Sequence, residues 1–336
     1  MPRKIEISHK TIIFTIIFLL FLWFIVQIGE IISWFFISFI LMSALKPIVD
    51  YLNSIRIPRI LAIILVYICI LIIFGFIAST IIPPLVTQTL NLSQSLPEYL
   101  RLVLPSLNLD PQNFAEQISS IGSNVLQLSV GLFNNIVSLF TIMVISFYLL
   151  FERNNLETYL SLFLGKSSGG KIEAIFAKVE ERLGAWVRGQ LTLILCIGIL
   201  TYIGLFSLQI PYALPLAIIA GLLEIIPTLG PILASLPAII VAFTVSSLHP
   251  VFTIILYFVI QQLENQIIVP VVMSKIVGLP PLVIILAILV GARLAGIAGV
   301  ILAVPVVVTA ETVFRAYYQF DLSTKKPAEA HKPDSV

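Results

Sequence analysis

From Ile60 to Ile82 the chain carries no charged side chain, and the same holds for 11–28, 31–45, 132–151 and 191–208. A helix needs about 20 predominantly apolar residues to cross the hydrocarbon core of a bilayer. Inside that core every backbone N–H and C=O must find its partner within the protein. Runs of this length therefore constrain the chain more than any single motif does. The remaining composition agrees: 59% of the residues are hydrophobic and 11% charged, with mean hydropathy +1.09. A soluble domain carries about 25% charged residues, so this chain has too few to cover a water-facing surface. The expectation is an all-α polytopic integral membrane protein with about eight hydrophobic segments.

The order of segments follows from where charge and proline interrupt the runs. Residues 1–10 form a short basic N-terminus, and 11–82 hold the first membrane helices. The first run is too long for the apolar core of a signal peptide and lacks a small-residue cleavage site. It is expected to turn tightly near Gly29-Glu30 and return as a hairpin. After Pro83-Pro84, residues 83–130 mix Leu and Ile with Ser, Asn and Gln at helical spacing, which predicts amphipathic helices outside the membrane. A membrane helix at 131–152 precedes the charged segment 153–190. Its "KSSGGK" lacks the phosphate-loop order and reads as a flexible linker into an amphipathic helix. Residues 191–315 form the C-terminal membrane core. The tail, 316–336, is rich in Pro, Lys and Ala toward its end and is expected to be disordered.

Lys and Arg concentrate at the N-terminus, in 46–59 and in 153–190, and are scarce in 29–30 and 83–130. The positive-inside rule then puts both termini in the cytoplasm of a cell (inner) membrane, with 83–130 outside. Net charge is only +2, which gives no reason to expect a nucleic-acid partner. Cys69 and Cys196 lie inside apolar runs without metal-ligand or disulfide spacing. No metal, cofactor or catalytic residue is expected.

Two tracts resist reading as plain spans. Residues 212–247 would make a straight helix of about 54 Å, against a core of about 30 Å. Pro227, Gly230 and Pro231 divide this tract, and Glu224 stands beside the division. A broken or re-entrant hairpin is expected, with its break near mid-membrane depth. The C-terminal tract, 282–312, repeats the device with Gly291, Gly296, Gly299 and Pro305. There Gly291, Ala295 and Gly299 share a helix face, a stripe of small residues for close helix packing. Between the tracts, Gln261, Glu264 and Asn265 share one face of a helix that Pro270 is expected to end. Interrupted segments of this kind point to a transporter's binding site.

The stretches "EIIPTLGPILASLPAIIVA" (224–242) and "QQLENQIIVPVVMSKIVGLPPLVIILAILVGARLAGIAGVILAVPVV" (261–307) resemble the AI-2E (autoinducer-2 exporter-like) transporters, the PerM-type permeases. The resemblance is sharpest over 210–312. Thr228 departs from it, standing where an aromatic residue often follows the first proline. It implies a secondary transporter or exporter of small solutes such as autoinducer-2, or a sodium/proton antiporter. Expected partners are membrane lipid, a small-molecule substrate, H+ or Na+, and further copies of the chain in a homo-oligomer.

Within the spans, Glu224 and Glu264 are the natural candidates for coupling, because an ionised carboxylate there is costly and must face a cavity, pair or bind a proton. They are expected to line one cavity together with Gln261 and Asn265. Arg293 is the candidate to neutralise one of them. Glu311 and Arg315 read as an interfacial i, i+4 pair. Two readings compete with transport: a non-transporting membrane scaffold, and an intramembrane enzyme. The latter lacks any visible nucleophile–base pair or metal cluster.

Overall fold

Chain segments that must satisfy their own backbone hydrogen bonds become helices, and the structure, a computed structural model, shows no strand among the residues it describes. Those are residues 9–76, 136–226, 229–273 and 280–325, with the isolated positions 79, 83, 87 and 91. The amphipathic helices expected over 83–130 lie outside them, those isolated positions apart, as does Pro227. The helices are α1 (His9–Gln27), α2 (Gly29–Ser54), α3 (Arg59–Phe76) and α4 (Ile136–Glu152). A 3-10 turn, Arg153–Asn155, leads to α5 (Leu156–Leu164), α6 (Lys166–Ser207), α7 (Ala213–Leu223) and α8 (Leu229–Ala242). Then come α9 (His249–Leu263), a π-helical turn (Glu264–Ile268), α10 (Val269–Met273) and α11 (Pro281–Lys325). Among the described residues six helices are long and apolar enough to cross a membrane, and α7 and α8 are shorter apolar ones. This is a polytopic all-α membrane protein.

Three expectations are corrected. The chain does not reverse at Gly29-Glu30. Ile28 N–H donates to Phe24 O and Ile32 N–H to Ile28 O, both at 3.0 Å. Ile28 itself departs only to φ −94°, ψ 7°, so α1 runs into α2 through a bend and leaves Phe14, Phe18, Phe21 and Trp23 exposed. The "KSSGGK" stretch is no linker either: it is the first turns of α6. Gly165, at φ 81°, reverses the chain after α5, and a Cβ on Gly169 would stand 2.7 Å from Ser161 N. The glycines there let α5 and α6 lie close together. Finally, α11 continues to Lys325, so the tail expected to begin at 316 is helical over its first part.

Both interrupted tracts double back. In α11 the backbone leaves helical geometry at Ala295 (φ −140°, ψ 20°) and Gly296 (φ 58°, ψ −136°). In a straight helix Gly291 and Gly299 would be about 12 Å apart. Here each lies against the other's carbonyl oxygen, where a Cβ would collide. The small-residue stripe thus joins two arms, 281–294 and 297–325, of one hairpin. Ala295 belongs to the bend and not to the packing face.

Two cores result. The first packs α2, α3 and α4 around the N-terminal half of α6 and the returning arm of α11, with Met42, Val49, Ile63, Leu183 and Val308 fully enclosed. The second packs α7, α8 and α9 on the C-terminal half of α6, around Leu216, Ala234 and Val241. Helix α6 runs through both. Charge collects at one end of the bundle. Glu180 of α6 pairs with Lys46 (3.1 Å) and with Arg153, which also pairs with Glu173 (3.1 Å). Arg182 and Arg315 both hold Glu311, at 2.9 and 2.6 Å. The segments 46–59 and 153–190 and the end of α11 therefore share one side.

Candidate functional site: a buried carboxyl pair

The site begins with a close helix crossing. At Gly221 of α7 a Cβ would stand 2.8 Å from Ile194 O and 3.3 Å from the Cα of Gly198 on α6. With glycine at both positions the two backbones meet directly. Helix α7 then ends at Leu223. The last carbonyls of a helix have no intrahelical partner, and here tight bonds take over: Ile226 N–H donates to Leu223 O at 2.9 Å and Gly230 N–H to Ile226 O at 2.9 Å. Gly230 lies over the Leu223 carbonyl, where any Cβ would collide, which is the physical reason for glycine in this turn. The carbonyl of Glu224 is satisfied from outside the hairpin, by Gln190 Nε2 at 3.0 Å.

That bond sets the depth of the break. Gln190 directly precedes the apolar stretch of α6, two residues after Arg188. The α7–α8 turn therefore reaches the charged end of the bundle, not the mid-depth expected.

Glu264 reaches the same place from α9. It opens the π-helical turn, in which Val269 N–H donates to Glu264 O. Such wide turns recur at functional sites. Glu264 is 4% exposed and Glu224 2%, and the two carboxyl groups are close neighbours. Gln261 Nε2 donates to Glu264 Oε2 at 3.3 Å. Among the described residues Oε2 of Glu224, a buried atom, has no hydrogen-bond partner. A groove of about 210 Å³ is lined by Pro231, Ile232, Ser235, Ile254, Tyr257 and Gln261; of the four residues expected to line one cavity only Gln261 does so, and the pair meets the groove through it.

Not every expected residue joins this cluster. Asn265 is exposed, along with Gln262 and Gln266: as the next residue after Glu264 it stands about 100° further round the helix, off the buried face. Pro270 does not end the helix, which continues to Met273, since the wide turn before it already breaks the regular hydrogen-bond ladder that a proline would disrupt. Arg293 pairs with neither glutamate. It is exposed near the bend of α11. Gln190 was missed; its signal was a lone amide at the threshold of a long apolar run. Glu180, 4% exposed and held by two cations, was also hidden in a segment that reads as solvated.

Two neighbouring carboxyl groups share a proton or a cation between them. Among the described residues no three His, Cys, Asp or Glu assemble as a multivalent metal site. The pair with Gln261 offers oxygen ligands to a single small cation.

The chain matches the family model described as "AI-2E family transporter" over residues 12–319. It is 30% identical over 315 residues to "Putative transport protein YueF" of Bacillus subtilis (strain 168), covering 87% of this chain and 85% of that one. It is 28% identical over 292 residues to "Putative transport protein YrrI" of the same organism, covering 80% of each. To "Putative permease PerM" of Escherichia coli (strain K12) it is 24% identical over 212 residues, covering 61% of this chain and 60% of that one. With nearly its whole length matched, the chain belongs to the AI-2E transporter family.

Proposed function

We propose that the protein is a secondary transporter or exporter of small, autoinducer-2-like solutes, driven by H+ or Na+ exchange at the Glu224–Glu264 pair, and not an enzyme. One observation carries the reading: two buried carboxyls from separate elements meet at a helix break, with one oxygen unsatisfied. A hydrogen bond between two carboxyls needs a proton on one of them, and an inserted Na+ would replace it. Because α7–α8 is a hairpin and α9 a separate helix, a small displacement between them opens or closes the pair. The same geometry supports a second reading, an Na+/H+ antiporter in which the cation is itself the cargo.

The charge distribution supports a cytoplasmic placement for 46–59, 153–190 and the end of α11 in the inner membrane, whereas the unreversed course of α1 into α2 does not return the N-terminus to that side. Arg293, the one charge in 281–310, is exposed beside Leu294. Since an arginine at membrane depth is costly against lipid, this supports a homo-oligomer in which a neighbouring copy covers it.

The test is gradient-driven flux in liposomes containing the purified protein, across small polar solutes, Na+ and H+. Glu264→Gln should insert and fold while losing flux, since the amide keeps the shape without the exchangeable proton, and Glu224→Gln should behave alike. Flux with unchanged pH and Na+ dependence in both variants would show that the pair is structural. For orientation, Lys166→Cys in a chain freed of its two cysteines should be labelled only after the membrane is permeabilised from outside.

A further inference from the structure

At the charged end of the bundle a cavity of about 500 Å³, with neither Glu224 nor Glu264 in its lining, opens between α6 and the returning arm of α11. Lys178, Glu181, Arg182, Arg188, Thr312 and Arg315 line it. Arg182 donates to Thr312 Oγ1 at 3.0 Å, and Glu311 bridges Arg182 and Arg315 at 2.9 and 2.6 Å. Four cationic side chains thus face two carboxylates, Glu181 and Glu311, and the crevice stays net positive. Its volume falls within the range of ligand pockets, about 300–1,000 Å³.

We propose that this crevice binds the headgroup of an anionic phospholipid. Its depth favours lipid over a soluble anion. Arg188 is the last charged residue before the apolar stretch 191–208 of α6, so the crevice stands at the level where headgroups lie. Phe314, Tyr317 and Tyr318 flank Arg315 and are 65%, 68% and 56% exposed, and exposed aromatic side chains at the end of a span mark the membrane–water interface. Guanidinium groups meet a phosphodiester with paired donors, and basic pockets between membrane helices hold anionic headgroups in this way. The occupant would bridge α6 to α11, the same two helices that Arg182 and Glu311 join.

The experiment titrates the full-length protein in detergent micelles with phosphatidylglycerol, phosphatidylcholine or inorganic phosphate, and counts bound molecules by native mass spectrometry. Phosphatidylglycerol should bind in preference to phosphatidylcholine. The double variant Lys178→Gln/Arg315→Gln should weaken that binding by about 25-fold, at about fivefold per cation near the headgroup. Lys166→Gln/Lys171→Gln, outside the crevice, should leave it nearly unchanged. Equal binding of the two lipids, or equal loss in both double variants, would refute the site. Displacement of phosphatidylglycerol by inorganic phosphate at matching concentration would assign the crevice to a soluble anion and overturn the lipid proposal. If the crevice variant is not recovered folded, Glu181→Gln decides: it should tighten phosphatidylglycerol binding, and unchanged affinity would overturn the proposal.

Discussion

Replacing Gln190 tests whether the helix break is held from outside. Its Nε2 reaches the Glu224 carbonyl at 3.0 Å, and both residues are buried, at 6% and 2% exposure. Gln190→Met keeps the length and bulk of the side chain and removes the donor. Among the described residues no other donor is bonded to the Glu224 carbonyl at this helix end. A buried acceptor left unsatisfied costs about 1–3 kcal/mol, while side-chain hydrogen bonds inside membrane proteins average about 0.6 and reach about 1.7 kcal/mol. The site lies at the edge of the apolar stretch, so about 1–1.5 kcal/mol is expected for Gln190→Met. Gln190→Ala should cost more, because it also empties the space the side chain fills. Reversible unfolding in mixed micelles measures the stability, and gradient-driven flux in liposomes measures the function, since a freed Glu224 backbone misplaces its carboxyl relative to Glu264. If Gln190→Met loses less than about 0.5 kcal/mol and keeps wild-type flux, the bond to Glu224 does not hold the break, and the site is positioned by the glycine contacts alone.

Gly291→Ala or Gly299→Ala drives a Cβ into the opposite arm's carbonyl and should destabilise by about 1–3 kcal/mol, whereas Gly75→Ala, with nothing within 4 Å, should be neutral or stabilising; thermal unfolding of the three variants side by side checks this. Glu180→Gln leaves Arg153 and Lys46 facing a neutral amide, and breaking such a buried pair costs about 3–5 kcal/mol, discounted here because Lys46 is 28% exposed. Glu180→Gln with Arg153→Met should recover part of that loss in the same melt, and no recovery would show that the network is not what Glu180 stabilises.

What the sequence determined by itself was everything that depends on local composition. Uncharged apolar runs close to the length of a bilayer core read as membrane helices, and a tract too long for one crossing yet divided by Gly230 and Pro231 must bend. The family motifs were legible for the same reason: glycines and prolines at bends are local requirements of the backbone. The tertiary structure decided what depends on which elements meet. Glu224 and Glu264 are forty residues apart, and only the packing of α7–α8 against α9 makes their carboxyls neighbours. Helical periodicity grouped Asn265 with Glu264, but neighbours stand about 100° apart around a helix, and the packing buries only Glu264 of the two. Gly291, Ala295 and Gly299 looked like one face of a straight helix, when the bend at 295–296 instead presses Gly291 onto Gly299. Gln190 and Glu180 had no local signal stronger than a polar residue at a helix end. Their roles come from partners that the chain brings to them only after folding: an open carbonyl for one, two cations for the other.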